Sequence, residues 1–309
     1  MSILVLATSA FVHAQLDALR RLAPGERIVS DPDAVDAQDV EALLAYKLQP
    51  GIVPRFPRLR FIACAGVGVD DVLACPDLSP DLPITRPDDP LQARRMAQYV
   101  TLMVLRWHRE LPRYIAQQRA SAWKRHAPLA EDAWTIGLMG CGAMGLAVLA
   151  SVRALGYPLR VWTRTPHAEH GVACFAGPAA LPAFLAGTRV LVCLLPLTGH
   201  TRGLLNARLF AQLPRGAYVV NVSRGAVLDE SDLLASLDSG HLEGAALDVY
   251  AREPLPAGDP IWSNSRIVAT PHIAAAPRPD VAAQQVLDNL ARARRGEALR
   301  NVIDRARGY

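Results

Sequence analysis

Three side chains far apart in the chain, Arg224, Glu253 and His272, are of the types needed to reduce a carbonyl beside a carboxylate. Hydride addition to a 2-oxo acid needs a fixed cation for the carboxylate, a proton donor for the developing alkoxide, and a neighbour that tunes the donor. Arginine meets the first need with a planar, permanently charged fork. Histidine meets the second, because its charge changes near neutrality. A glutamate beside an imidazole meets the third by favouring the protonated ring. Taken singly, each has an ordinary structural explanation: a turn charge before glycine, a hydrogen-bonded or surface ring after proline, a loop cap before proline. Their placement sets them apart. Arg224 follows the β-like run Tyr218–Val220, Asp248 and Glu253 follow Gly244–Leu247, and His272 follows a short run beginning near Arg266. Each thus stands just beyond the C-terminal end of an expected parallel strand, the edge where open α/β sheets bind ligands.

Upstream, Gly140-Cys-Gly142-Ala-Met-Gly145 has GxGxxG spacing between a β-like run and an apolar, helix-forming run, Leu146 to Leu155. Gly140 would allow a tight turn, Gly142 the approach of a diphosphate, and Gly145 close packing of helix on strand. Ala143 and Met144 complete this candidate cofactor loop, with the phosphates at a helix N-terminus. The next strand, Leu159–Trp162, ends where a carboxylate would read the ribose 2′-hydroxyl of NAD. That position is Thr163, followed by Arg164 and Thr165. A carboxylate would repel the 2′-phosphate of NADP, whereas arginine attracts it through charge-assisted hydrogen bonds. The pattern favours NADP(H), with NAD(H) use possible; the alternative is a solvent-facing Arg164. His167 is a further candidate for that phosphate.

Positioning these groups requires an alternation of strands and helices. Ile3–Ala7 reads as a strand, Phe11–Leu22 as a helix, and Phe61–Ala65 as a strand ending in Ala65-Gly66-Val67-Gly68-Val69-Asp70. A long helical stretch from Leu91 to Arg119, opened by Pro90, would connect two βα regions, and Pro112 should kink or divide it. A second βα series runs from Trp134 to about Ile273, and Asp280–Gly296 reads as a final helix. Such an α/β chain implies parallel sheets with helices on their faces.

The chain's 309 residues fit two domains, and 51% hydrophobic against 20% charged residues is a globular balance. The net charge of +4 comes almost wholly from arginine, Lys47 and Lys124 being the only lysines. Those arginines are scattered except near Arg292, Arg294 and Arg295, which argues against a nucleic-acid partner. The five cysteines (Cys64, Cys75, Cys141, Cys174, Cys193) form no CxxC pair, so neither a disulfide framework nor a metal site is expected, and a reducing cytoplasm fits. The apolar start lacks a positive n-region, and no run reaches the ~18 residues of a membrane span.

The segments NVSRGAVLDE, ALDVYAREPLP and TPHIAA resemble those of the D-isomer-specific 2-hydroxyacid dehydrogenases, most strongly over Tyr99 to Ala275. The chain is similar in particular to the NADPH-preferring glyoxylate/hydroxypyruvate reductase branch, which likewise has arginine where NAD enzymes have an acid. The resemblance implies two Rossmann-like or flavodoxin-like parallel-sheet domains with an interdomain cleft. Residues 1–98 plus 279–309 would bind substrate and residues 99–278 the dinucleotide. It further implies that Arg224 holds the substrate carboxylate and carbonyl, that Glu253 and His272 form the proton relay, and that Asp248 contacts the nicotinamide carboxamide. Val67 and Gly68 would cradle the substrate carboxylate and Tyr46 would close the pocket, a core aromatic being the alternative for Tyr46. Leu195, Pro196 and Thr201, with Val222 and Ser223, would line the cofactor. A homodimer joined through the cofactor domain is expected. Valine between the glycines of AGVGVD, Gln98 in the connecting helix, and Pro277 and Pro279 before the last helix depart from the usual family pattern. A short phosphoglycerate-type dehydrogenase and a nucleotide-sensing, corepressor-like binding protein are the rival readings.

Overall fold

The computed structural model describes residues 2–127 and 129–305; the last four residues of the 279–309 segment lie outside them. The chain divides into two compact units, Met1–Pro90 with Ala276–Tyr309, and Leu91–Ala275.

The first unit has five parallel strands: β1 (Ser2–Leu6), β2 (Arg27–Val29), β3 (Val40–Ala45), β4 (Phe61–Cys64) and β5 (Ile84–Thr85), in the order β2-β1-β3-β4-β5. This is the flavodoxin-like winding. Helices cover the sheet, so its central strands are apolar on both sides instead of alternating. Ile3 and Val5 pack on one face with Leu16 and Leu19 of the helix Ala10–Leu22 and with Val286 and Leu290 of the helix Pro279–Arg294. Leu4 turns to the other face, among Leu43, Ile62 and Val72. Ser9 starts the first helix by accepting the Val12 N–H. Pro279, one of the departures from the family pattern, occupies the first helical position, where proline's missing N–H costs nothing.

The second unit has seven parallel strands: β6 (Ile136–Met139), β7 (Leu159–Thr163), β8 (Ala173–Ala176), β9 (Val190–Cys193), β10 (Ala217–Asn221), β11 (Leu242–Leu247) and β12 (Ile267–Ala269). Their order is β12-β11-β10-β9-β6-β7-β8, so the direction of winding reverses between β6 and β9. Open α/β sheets bind dinucleotides at such a reversal, beyond the strand C-termini. The stretch expected as one divided helix forms two, Pro90–His108 and Leu111–Arg119. The break falls at Glu110, with φ of 49°, and Pro112 sits in the first turn of the second helix, where it fits. Val100, Met103 and Trp107 of the first of these helices pack over Ile136, Leu138, Val190 and Val192, beside Val148 and Val152 of the helix Ala143–Arg153. The opposite face joins Met139, Leu191 and Val219 to Phe184, Phe210 and Leu233. With both faces sealed by apolar contacts, the polar residues of this unit collect at the strand ends.

Among the described residues no helix is long and apolar enough to cross a membrane, and no group of three or more His, Cys, Asp or Glu is placed to hold a metal ion.

Candidate active site

The glycine loop lies at the winding reversal. Gly140 follows β6 with φ of 102°, a conformation that favours glycine, and a Cβ there would lie 3.2 Å from the Leu194 carbonyl oxygen just after β9. Gly142 is the N-cap of the helix Ala143–Arg153, and nothing in the protein lies near the space a Cβ would take. A Cβ at Gly145 would overlap the Gly140 carbonyl oxygen. The helix begins at Ala143, three residues before the expected Leu146. Ala143, Met144 and Gly145 therefore form its first turn, whose N–H groups have no partner within the helix. A bare N-cap face beside such donors suits an anion.

Thr163 ends β7, and its hydroxyl donates to the Thr165 carbonyl at 2.7 Å, which shapes the turn displaying the exposed Arg164 and Thr165. His167 Nε2 lies 3.4 Å from Cys141 Sγ, so that ring stands beside the glycine loop. After β9, Leu195 is buried, and the Thr201 hydroxyl donates to the Pro196 carbonyl at 2.7 Å while accepting the Thr198 N–H at 2.8 Å. The Thr201 hydroxyl thus shapes this loop.

Beyond β10, buried Asn221 organises the turn that presents Arg224. Its Oδ1 accepts from the Ser223 N–H and hydroxyl at 3.2 and 2.8 Å, and its Nδ2 donates to the Arg224 carbonyl at 3.2 Å. Val222 and Ser223 are buried, while Arg224, half-buried, donates from Nη1 to the Ser223 carbonyl at 2.8 Å. Gly225 has no room for a side chain, because a Cβ would overlap the Tyr250 carbonyl. That absence lets the Arg224 turn press against the loop holding Glu253.

Glu253 Oε1 accepts the Tyr250 N–H at 3.0 Å, and Oε2 lies 2.8 Å from His272 Nδ1. Burial alone would raise the Glu253 carboxyl. The hydrogen bond and charge of His272, the Tyr250 N–H and Arg224 together hold it below its ordinary 4.5. The two side chains are 34% and 36% exposed, so a ligand can reach the pair. With Nδ1 committed to Glu253, Nε2 is the ring nitrogen left for proton delivery. His272 itself has φ of 56°, and its N–H donates to the Thr270 carbonyl at 3.1 Å.

Asp248, 1% exposed, follows β11. Its Oδ1 accepts from the Thr270 hydroxyl at 2.6 Å and the Ile273 N–H at 2.9 Å, and its Oδ2 from the Ala274 N–H at 2.8 Å. Burial pushes its carboxyl upward against these three donors. A fixed cation, an oriented acid–imidazole pair and a bare helix N-terminus along one sheet edge can bind a carboxylate, donate a proton and seat a dinucleotide.

In the first unit, Tyr46 follows β3 and its ring lies 3.3 Å from where a Gly66 Cβ would be, beside the half-buried Val67 and Gly68. Buried Gln15 donates to the Ala65 carbonyl at 2.8 Å and so anchors the start of that loop.

A profile of the family described as D-isomer specific 2-hydroxyacid dehydrogenase, NAD binding domain, matches residues 101–274, more than half of the chain. The chain belongs to the D-isomer specific 2-hydroxyacid dehydrogenase family. It is similar to glyoxylate/hydroxypyruvate reductase A of Klebsiella pneumoniae (strain 342), with 40% identity over 310 aligned residues covering 97% of this chain and 99% of the relative. An NADPH-dependent glyoxylate/hydroxypyruvate reductase of Sinorhizobium meliloti, solved with NADP and sulfate, superposes with a TM-score of 0.90 at 33% identity over 100% of both chains. A D-isomer specific 2-hydroxyacid dehydrogenase of Xanthobacter autotrophicus Py2, solved with NADPH and MES, does so with 0.88 at 39% identity over 100% of this chain and 99% of the other.

Sequence reasoning about this dehydrogenase missed Gln15, Tyr99 and Thr270. Tyr99 reads as one more residue on the apolar face of a connecting helix, and Thr270 as the polar end of a strand. A hydroxyl two residues before His272 was the available signal. Only the fold brings Tyr99 to it, with the two hydroxyls 2.7 Å apart.

Proposed function

We propose that this dehydrogenase reduces a small 2-oxo acid of the glyoxylate or hydroxypyruvate type to the 2-hydroxy acid, with NADP(H) preferred over NAD(H). The Glu253–His272 pair, 2.8 Å apart on the sheet edge that also bears Arg224, carries the reading. The similarity to reductases named for those substrates supports the substrate class.

The residues fit a dinucleotide: Gly142 leaves open space at a helix N-terminus, and the turn after β7 holds arginine and threonine with no acid. Gly140, Gly142, Ala143, Met144 and Gly145 would hold the diphosphate, and Thr163, Arg164 and Thr165 the 2′-phosphate. Leu195, Pro196, Thr201, Val222 and Ser223 would line the rest, with Asp248 near the carboxamide. Bound NADPH supplies the hydride. Arg224 binds and orients the 2-oxo acid through its carboxylate and carbonyl, and Tyr46, Val67 and Gly68 are the first unit's proposed substrate-binding residues. His272 gives a proton from Nε2 to the carbonyl oxygen, and Glu253 holds the ring by Nδ1 so that Nε2 is presented. In this reading residues 99–278, most of which belong to the second unit, Leu91–Ala275, bind the cofactor, and residues 1–98 with 279–309 bind substrate.

A homodimer joined through the second unit belongs to the same proposal. The helix Leu111–Arg119 buries none of its residues, and Leu111, Tyr114 and Trp123 are exposed, Trp123 by 94%. Such apolar exposure suits a protein interface. The proposal places the enzyme in the cytoplasm, where its five unpaired thiols remain reduced. It includes no nucleic-acid partner: Arg294 pairs with Glu26 and Glu41, and Arg295 with Glu297, which neutralises the densest arginine cluster.

The test is oxidation of NADPH and NADH with a panel of 2-oxo acids. Turnover of glyoxylate or hydroxypyruvate, with NADPH favoured, is expected; folded protein that turns over none of the panel overturns the reading.

A further inference from the structure

His272 is held in an unusual backbone conformation by a chain of hydroxyls that does not touch the imidazole. Its φ of 56° lies in the left-handed region, which a non-glycine residue adopts only when its surroundings impose it. Three contacts impose it. The His272 N–H donates back to the Thr270 carbonyl at 3.1 Å, and the next two N–H groups, of Ile273 and Ala274, donate to opposite oxygens of Asp248 at 2.9 and 2.8 Å. The Asp248 carboxylate is in turn fixed by the Thr270 hydroxyl at 2.6 Å. Because that hydroxyl spends its only proton on Asp248, it can only accept from Tyr99, whose hydroxyl lies 2.7 Å away. The proton order is therefore set: Tyr99 to Thr270 to Asp248. Tyr99 is 9% exposed and its phenol is pushed up to about 12 by burial, so it remains a donor across the working pH range. Tyr99 belongs to the helix Pro90–His108, whose Val100, Met103 and Trp107 are packed into the sheet, so the chain is rooted in a rigid element.

We infer that Tyr99 and Thr270 are positioning residues for proton transfer. They lock the Asp248 carboxylate so that it holds the 272–274 backbone, and that backbone aims the His272 ring between Glu253 and the substrate oxygen. This inference rests on the reductase reading. An imidazole misaimed by a fraction of an ångström still binds Glu253 in some orientations but delivers its proton poorly, so the loss falls on kcat and not on ground-state binding.

The experiment compares the full-length wild type with Thr270→Val, Thr270→Ser and Tyr99→Phe, measuring kcat, KM for the 2-oxo acid, the NADPH dissociation constant and the solvent deuterium isotope effect. For Thr270→Val, kcat should fall by about 10- to 100-fold, with KM and NADPH binding within about threefold of wild type. The isotope effect on kcat should rise as proton transfer becomes rate-limiting, a change that a merely structural role would not produce. Thr270→Ser, which keeps the hydroxyl, should restore most of kcat, and Tyr99→Phe should show a smaller loss with the same isotope signature. Should Thr270→Val fail to fold, Tyr99→Phe decides by that signature alone. An active wild type with both hydroxyl-deleting variants at its kcat and isotope effect overturns the positioning role and leaves the reductase reading standing. A wild type inactive on every 2-oxo acid overturns both.

Discussion

His272 Nδ1 lies 2.8 Å from Glu253 Oε2, while the other oxygen of the same carboxylate accepts the Tyr250 N–H at 3.0 Å. The second bond matters as much as the first, because it stops the carboxylate rotating and so keeps Oε2 turned toward the imidazole. Glu253→Gln keeps a similar shape but loses the carboxylate oxygen that holds the ring by Nδ1. Its kcat should fall by about 10²-fold, within the range for general acid–base groups, with NADPH binding little changed. Steady-state rates together with fluorescence titration of NADPH check this; a variant with wild-type kcat contradicts the relay.

The same carboxyl sets an acid limit. Its folded-state pKa is depressed below 4.5, so its contribution is fully present above about pH 4.5 and is lost as pH falls through the lower folded value. Reduction rates should therefore hold on the acid side until below pH 4.5, and Glu253→Gln should abolish that acid limb. A pH–rate profile whose acid limb is unchanged in the variant assigns the limb to another group.

Gly142 and Gly145 look alike in the sequence and differ in the structure. A Cβ at Gly142 meets open space, whereas one at Gly145 overlaps the Gly140 carbonyl oxygen. Gly142→Ala should fold with an unchanged Tm but bind NADPH more weakly, since the added methyl occupies the space assigned to the diphosphate. Gly145→Ala should lower the stability itself, by about 1–3 kcal/mol as for other overpacked sites. Thermal melts with and without NADPH separate the two effects.

Arg164 stands exposed after β7, in a turn without an acid. Arg164→Ala should raise KM for NADPH by about 10- to 100-fold, the loss of one hydrogen bond to a charged group, and leave KM for NADH near its starting value. Equal changes for both nucleotides would remove the 2′-phosphate from the role of this side chain.

Much of this site was legible because parallel-sheet chemistry sits at strand ends, and strand ends are visible as an apolar run followed by a polar residue. Arg224, Asp248 and His272 were read that way as residues beyond strand ends, and the fold puts them after β10, β11 and β12; the glycine spacing located β6 and its helix. The helix start was missed by three residues, since Ala143 and Met144 carry no capping signal and the cap is a bare glycine. Tyr99, Thr270 and Gln15 escaped for a different reason. Each acts through a residue distant in sequence, Tyr99 across 171 positions, and no local pattern marks such a pairing. Glu41 is similar: it lies at 2% exposure within a strand whose other members are apolar, and only the fold supplies Arg60 and Arg294 at 2.9 and 2.8 Å.

The most direct measurement follows the hydrogen. NADPH deuterated on the transferring face of its nicotinamide is incubated with the enzyme and hydroxypyruvate or glyoxylate, and the product is read by mass spectrometry and NMR. One deuterium at C2 of the 2-hydroxy acid, with the D-isomer formed from hydroxypyruvate, is expected. Folded enzyme that binds NADPH yet yields no C2-deuterated hydroxy acid contradicts hydride transfer at this site.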